Sequence, residues 1–361
     1  MYGKIDILEE NKTFKEIYAL RKKMDGYSDC RYIKFKDKYI IFASMFLRDN
    51  TPISYSRYKL KKLFFNFVKN HDCLVYMWLD NSDLSYTTLL STIEKFDIDP
   101  SKFYIWLASE EDIKHFKNTK FNYFLINRSS FVPLHTFTFD RNIPKQYNLV
   151  YNGNLPVNGK LKKHYKRWDI CPTSISDIAV IDGNVKRHAN LENRNKNLNK
   201  YNINYSYIND QFLLLTEVAR IYQKSKVGII LSLREGGCFA SQEYLACGLP
   251  VVSTKSISGR NLYYDKYNSI VCEPTKEAVT EVCLEMIRRV ENNEIDGEKI
   301  RNDFIKRMNE RFTMWKRSIQ DGFERLDIEV DFEKFFNEIF LNKFGEIKYT
   351  WSYLTNSYEI L

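Results

Sequence analysis

The sequence predicts an α/β protein of two domains, each built on a parallel sheet, and three observations support this. Its 361 residues are about twice the usual domain size of ~100–200 residues. Short apolar runs alternate with amphipathic stretches, as in βαβ units whose strands are buried on both faces. The alternation breaks once, near Pro144, and then restarts. We therefore expect an N-terminal domain over 1–145, a C-terminal domain over 146–330, and C-terminal helices over 331–361 that pack back towards the first domain.

The first half contains four apolar runs of strand length, separated by three helical stretches. The predicted strands are 39–44, 73–79, 103–108 and 121–126. The predicted helices are 58–69, 84–96 and 110–118. Because helices rather than short turns separate the runs, the pattern favours parallel neighbours over hairpins.

The second half repeats this pattern. The predicted strands are 147–152, 178–181, 227–232 and 250–254. The predicted helices are 160–168, 211–225, one opening at 242–247, and most of the chain beyond 276. The stretch 186–200 is so rich in Asn, Arg and Lys that we interpret it as a surface excursion.

The charge and cysteine patterns narrow the class of protein. The formal net charge of +9 indicates either a solvated basic surface or an anionic partner, such as a membrane or a phosphate-bearing ligand. Zinc-finger spacing and RNP-like segments are missing from the sequence, which disfavours nucleic acid. The seven cysteines are scattered without a C-x-x-C pair, as is typical of reduced cytoplasmic thiols. The sequence shows neither a signal peptide nor an apolar run of about 18 residues, so we expect a cytoplasmic chain.

Glycine is concentrated in one window. Five of the 13 glycines fall between residues 228 and 259. The window is predicted to form a strand, a loop containing Gly236 and Gly237, a helix, a tight turn and a further strand. Ligands of open parallel sheets bind beyond the carboxyl ends of the strands. A glycine loop lets the backbone approach such a ligand, and the following helix offers free N–H groups. The window therefore predicts an anion site, most simply one for a diphosphate.

Two carboxylates flank this loop, because Glu235 precedes the glycines and Glu243 lies inside the helix, in an E-x7-E spacing. A carboxylate can accept two hydrogen bonds from a vicinal diol, so the pair suits sugar hydroxyls. The alternative is that Glu243 is a solvated helix residue and Glu235 a cap. The glycines between them and the sequence Ala-Cys-Gly-Leu-Pro-Val-Val after them favour the binding role.

The stretch from Glu235 to Thr254 resembles the nucleotide-sugar site of retaining GT-B glycosyltransferases, the "glycosyl transferases group 1" family. The bacterial surface-polysaccharide type is the most similar, and its Gly-Gly-Arg-Asp-like stretch corresponds here to residues 258–261. The resemblance is strong over 225–275, weaker over 147–224 and absent from the N-terminal half. It implies an α/β GT-B fold, with two Rossmann-like domains facing a cleft and the acceptor bound by the N-terminal one.

The resemblance also implies roles for individual residues. Glu243 is expected to hold the ribose hydroxyls, and Glu235 is expected to act in catalysis, facing the transferred sugar. The sugar and diphosphate are expected to lie against the amides of Gly236, Gly237, Cys238 and Phe239.

In this family an Arg and a Lys neutralise the charge of the leaving diphosphate, and this basic pair is altered here. The family's Arg is replaced by Asn154, after Gly153. Lys163 or Lys160 is expected to take the phosphate role, with Lys163 the catalytic candidate, and Arg260 is a substitute cation. The alternative is that the lysines belong to a solvated basic face.

The implied reaction moves a sugar from a nucleotide-diphosphate sugar to a hydroxyl acceptor with retention. The acceptor is expected to be a glycan or lipid-linked glycan of a surface polysaccharide. The protein is therefore also expected to meet an anionic membrane surface, at the inner face of the membrane. The resemblance implies no cofactor and no required metal ion, and Asp97-Ile-Asp99 is interpreted as a helix cap rather than a metal motif. Two alternatives remain: a non-catalytic nucleotide- or carbohydrate-binding module, favoured by Asn154, and a GT-B nucleotide-sugar epimerase.

Overall fold

The computed structural model of the protein describes residues 30–43, 55–79, 82–153, 167–183, 185, 199–233, 235, 237–256 and 259–336. These residues form two compact units. The first contains the described residues up to Arg128 together with those from Glu310 onward, and the second runs from Ser129 to Asn309. The chain therefore passes between the units earlier than the residues 145 and 330 expected from the sequence.

The first unit is built on a five-stranded sheet in the order β1-β2-β3-β4-β5. Its strands are β1 (Cys30–Phe35), β2 (Lys38–Ala43), β3 (Asp72–Leu79), β4 (Phe103–Leu107) and β5 (Asn122–Leu125). β1 is antiparallel to β2, and all other neighbours are parallel. Helix α1 (Tyr55–Asn70) links β2 to β3, and α2 (Ser82–Phe96) links β3 to β4. The parallel arrangement predicted from the alternating runs is confirmed.

Alternate residues of these strands pack on opposite faces of the sheet. On one face, Ile41, Val75 and Ile105 are fully buried in a core with Phe65 of α1 and Leu89 of α2. This face carries an apolar core of the first unit, and the helices between the strands pack on it with their apolar sides.

The opposite face carries an aromatic row. The rings of Tyr76 and Tyr104 stack with centroids 4.6 Å apart. The Tyr76 hydroxyl donates to the carbonyl of Ser318 at 2.9 Å, on helix α6 (Gly297–Arg325). Gly322 lies so close that a Cβ there would be 2.0 Å from the Tyr76 hydroxyl oxygen. The part of α6 beyond residue 310 is therefore fitted tightly to this face.

The second unit is built on a six-stranded parallel sheet in the order β11-β10-β9-β6-β7-β8. Its strands are β6 (Tyr147–Asn152), β7 (Ile178–Ile181), β8 (Tyr205–Ile208), β9 (Ser225–Ile230), β10 (Val251–Thr254) and β11 (Ser269–Cys272). Its helices, besides the start of α6, are α3 (Leu215–Gln223), α4 (Phe239–Ala246) and α5 (Lys276–Glu291).

The strand order of this sheet reverses between β6 and β9. From β6 the chain moves outward through β7 to β8, and β9 then pairs with the other side of β6. In open α/β sheets the connections diverge at such a switch point, and a crevice opens beyond the carboxyl ends of the two strands. The topology therefore predicts a ligand position at the ends of β6 and β9.

Two of the clustered glycines have packing reasons. A Cβ on Gly228 would lie 2.3 Å from the ring of Tyr244, so the bare backbone of β9 lets α4 approach closely. Gly248 follows α4 with a φ of +68°, where a side chain is strained, and a Cβ there would lie 2.5 Å from the carbonyl oxygen of Gly297.

Several elements differ from those predicted. Strands β1, β8 and β11 were not expected; each is at an edge of its sheet and at most six residues long. The helix expected over 110–118 is a six-residue 3₁₀ helix, Glu110–His115, followed by a bond from the Phe116 N–H to the Ile113 carbonyl. Helix α4 begins at Phe239, three residues before the expected start. The predicted helix over 160–168 and the excursion over 186–200 lie mostly outside the described residues.

Candidate functional site

The switch point of the second sheet brings the predicted loop and helix next to the end of β6. Asn152 closes β6, and the N–H of Gly153 then donates to the carbonyl of Ile181 on β7 at 2.9 Å. Glu235 follows β9, and α4 begins four residues later. The site therefore combines β6, β9 and α4 at one edge of the sheet.

Four of the sequence-predicted site residues lie outside the described residues: Gly236, Asn154, Lys160 and Lys163. The others all belong to the second unit, and they are Gly153, Glu235, Gly237, Cys238, Phe239, Glu243 and Arg260.

Glu243 lies on α4 and is almost completely buried, with 5% of its surface exposed. Its Oε2 accepts a hydrogen bond from the Tyr222 hydroxyl of α3 at 3.0 Å. Burial raises the pKa of the Glu243 carboxyl from 4.5 to about 7, although the bond from Tyr222 lowers it. The solvated-helix alternative for this residue does not fit its burial.

Asn152 extends this contact. Its side-chain amide donates to the Tyr222 hydroxyl oxygen at 2.5 Å, so a chain of hydrogen bonds runs from β6 through α3 to α4. The Asn152 backbone N–H donates to the hydroxyl of Tyr244 at 3.0 Å. The Tyr244 hydroxyl in turn donates to the Val150 carbonyl at 3.3 Å. The end of β6 is thus tied to the neighbouring helices by two tyrosines.

Glu235 is held by a second cluster. The Ser232 hydroxyl donates to its Oε2 at 2.5 Å, and the Arg260 Nη1 lies 3.7 Å from the same oxygen. Arg260 is fully buried; its Nη1 donates to the Ser232 carbonyl and hydroxyl, both at 2.7 Å, and its Nη2 donates to the Thr254 carbonyl. The guanidinium therefore braces the ends of β9 and β10 and places a fixed positive charge beside Glu235, whose side chain is 18% exposed.

The start of α4 supplies hydrogen-bond donors at the same edge. The helix follows Gly237 and its N-cap Cys238, and its first turn contains no acidic side chain. The first N–H groups of a helix have no partner within the helix and carry its positive dipole end. With Glu235 and Glu243 on either side, this edge can bind an anion next to a hydroxyl-rich group.

Asn152, Tyr222 and Ser232 belong to the site but were not predicted. Asn152 and Ser232 follow apolar strand residues, so their positions at strand ends gave a weak signal. Tyr222 gave none, because its contact with Glu243 depends on how α3 packs against α4.

Asp99 caps a 3₁₀ helix, Pro100–Lys102, by accepting from the Ser101 N–H at 3.0 Å, which confirms the capping interpretation. Within the described ranges, no three His, Cys, Asp or Glu side chains come together as a metal-binding group. In the same ranges, no helix has the length and apolar character needed to cross a membrane.

The chain has two α/β units, the first on a largely parallel sheet and the second on a parallel sheet with the switch point described above. Solved structures of GT-B glycosyltransferases share this fold. TarM matches with a TM-score of 0.53 and 16% identity, over 86% of this chain and 58% of TarM. A UDP-forming α,α-trehalose-phosphate synthase from Burkholderia xenovorans matches with a TM-score of 0.51 and 10% identity, over 89% of this chain and 81% of the synthase. A TarM variant from S. aureus, in complex with fondaparinux, alpha-GlcNAc-glycerol and UDP, matches with a TM-score of 0.50 and 15% identity. The match covers 71% of this chain and 52% of the TarM variant.

Residues 178–311 match the family model "Glycosyl transferases group 1". The match lies within the second unit except for its last two residues, and it contains Glu235, Glu243, α4 and Arg260. This part of the chain is therefore similar to that family. The search of curated proteins finds no match.

Proposed function

We propose that the protein is a retaining glycosyltransferase, which moves a sugar from a nucleotide-diphosphate sugar to a hydroxyl acceptor. The observation that carries the proposal is the pair of glutamates beside the start of α4 at the switch point, inside the region that matches the family model. The UDP in the TarM variant complex and the UDP-forming synthase support a nucleotide-sugar donor.

The donor is proposed to lie along the carboxyl edge of the second sheet. Glu243 accepts hydrogen bonds from the ribose hydroxyls, since a carboxylate offers about four lone-pair positions and, among the described residues, Tyr222 occupies one of them. The amides from Gly237 to Phe239 face the diphosphate, where the helix dipole favours negative charge. Glu235 faces the transferred sugar, held in one orientation by Ser232.

The chemistry needs stabilisation of the leaving group more than covalent help. The acceptor oxygen bonds to the anomeric carbon as the bond from that carbon to the phosphate oxygen breaks. Retention requires the acceptor to approach from the face that the diphosphate leaves, so the departing phosphate oxygen is placed to take the acceptor proton. Charge then builds on the diphosphate, where the α4 amides stabilise it. Lys163 or Lys160 is proposed to add a cation.

The acceptor is proposed to be a glycan or lipid-linked glycan at the cytoplasmic face of a membrane, consistent with the net charge of +9. Co-sedimentation with vesicles of anionic and of neutral lipid, at low and high salt, tests the membrane part. We expect binding to anionic vesicles at low salt only. Equal recovery with neutral vesicles contradicts it.

Incubation with UDP-, GDP-, ADP- and CMP-sugars, with detection of released nucleotide, tests the catalytic proposal. We expect release from at least one donor, and a loss of about 100-fold or more in Glu235→Gln and Lys163→Ala. Glu281→Gln, on an exposed position of α5, is the matched control and should keep the wild-type rate. Binding without release from any donor contradicts the proposal and favours a non-catalytic module. Free sugar with altered stereochemistry favours an epimerase.

A further inference from the structure

Glu243 is an unusual group for this position, because it is a buried carboxylate that faces no cation among the described residues. Three titratable groups face the Glu243 carboxylate: Tyr222 on α3, Tyr244 on α4, and Cys247, the C-cap of α4. The basic Lys145 and Arg301 interact with Cys247 instead. The only hydrogen bond to the carboxylate from a described residue comes from Tyr222.

The hydrogen-bond chain orders this carboxylate in a defined direction. Asn152 donates to the Tyr222 oxygen, so the Tyr222 proton is directed to Glu243 Oε2. Burial raises the pKa of the Tyr222 hydroxyl, so it stays a donor. Oε1 of Glu243 accepts no bond from a described residue, and the residue keeps 5% of its surface exposed. Among the described residues, one oxygen is thus held by Tyr222, and we expect the other to accept from a ligand.

We propose that Tyr222 and Asn152 are positioning residues, which hold Glu243 as an ionised acceptor for the ribose hydroxyls and make nucleotide affinity rise with pH through neutrality. The inference rests on the proposed function, because it assumes a nucleotide at this edge.

The direction of the response follows from what each protonation state offers. A protonated carboxyl directs its own hydrogen to a partner and loses acceptor capacity, whereas the carboxylate accepts from both hydroxyls of a diol. With a pKa of about 7 for Glu243, the ionised fraction grows about tenfold between pH 6 and pH 8. The dissociation constant of a nucleoside diphosphate should fall about tenfold over this range.

Tyr222→Phe removes the donor and little volume. Because a hydrogen bond to the charged form favours ionisation, its loss should move the midpoint of the pH profile up by about one pH unit. Affinity should then fall about fivefold at pH 7 and recover at pH 9. Asn152→Ala should move the midpoint in the same direction by less, because it acts through Tyr222. A merely structural defect would not be repaired by raising the pH.

The experiment is calorimetric titration of the full chain with UDP, GDP and ADP from pH 6 to pH 9. Glu243→Gln should bind the nucleotide weakly, and its affinity should lack the rise with pH that ionisation of Glu243 causes. Any contribution from titration of the nucleotide phosphates is the same in all variants. Tyr76→Phe is the matched control, since it removes a buried tyrosine hydroxyl bond in the first unit and should keep the wild-type profile. The 2′,3′-dideoxy form of the binding nucleotide should bind wild type, Tyr222→Phe and Glu243→Gln equally.

The outcomes separate the inference from the function on which it rests. A wild-type profile with the same midpoint in Tyr222→Phe overturns the inference while leaving the proposed function intact. A loss of affinity in Tyr222→Phe that is equal at every pH also overturns it. Absence of binding by UDP, GDP and ADP at any pH, in wild type, removes the proposed function itself.

Discussion

Glu243→Gln should remove a pH-dependent loss of stability from the second unit. The substitution keeps the size of the side chain and an oxygen that can accept from Tyr222. In the folded protein, burial raises the pKa of Glu243 from 4.5 to about 7. At about 1.4 kcal/mol per pH unit, this corresponds to about 3 kcal/mol of unfolding free energy.

The sign follows from proton binding. Below about pH 4.5 the carboxyl is protonated in both the folded and the unfolded chain, so the full stability is present. Between about pH 4.5 and 7 the unfolded chain has released its proton and the folded protein still holds it, so the free energy of unfolding falls as pH rises. Above about pH 7 the whole contribution is lost.

Urea denaturation of wild type and Glu243→Gln from pH 4 to pH 8, followed by tryptophan fluorescence, measures this. The unfolding free energy of the variant, relative to wild type, should rise by about 3 kcal/mol across the range. Glu281→Gln, exposed on α5, is the control for charge removal and should show a difference that changes little with pH. A pH-independent difference for Glu243→Gln would refute the reasoning.

Three further substitutions test the packing of the site. Gly228→Ala drives a Cβ into the Tyr244 ring and should cost about 1–3 kcal/mol in urea denaturation, and a smaller residue at 244 should recover part of it; an unchanged midpoint contradicts the fit. Gly248→Ala meets both the φ of +68° and the carbonyl of Gly297, so its melting temperature should fall by several degrees; a stabilised variant contradicts this. Arg260→Lys keeps the charge but cannot donate to the carbonyls of both Ser232 and Thr254, so it should lower the unfolding free energy by about 2 kcal/mol or more in the same denaturation assay. Equal stability would show that the two-sided contact of the guanidinium is not needed.

Most of the fold could be predicted because its signal is local. Buried parallel strands are nearly continuous apolar runs, so β2, β3, β4, β6, β7, β9 and β10 were recognisable in the sequence. Edge strands such as β8 are short and partly polar, and their pairing is decided by a neighbour distant in sequence. The strand order, and with it the switch point beside β6, also depends on long-range pairing that no local pattern encodes.

The candidate site was predictable where its residues are close in the sequence. Glu235, the glycines and Glu243 form one motif, so their proximity follows from a strand, a loop and a helix. The partners of these glutamates come from other elements: Tyr222 from α3, Asn152 from β6 and Arg260 from beyond β10. The complete burial of Arg260 could not be read from its charge, which favoured a ligand-facing cation.

Hydrogen–deuterium exchange with a saturating nucleoside diphosphate tests the central claim, that the nucleotide lies at the switch-point edge of the second unit. Peptides that cover Ser232–Cys247 should become protected, together with those around Asn152 and Tyr222. Peptides of the first-unit sheet should exchange as in the free protein. Protection confined to the first unit, or none in the second at saturation, would contradict the account.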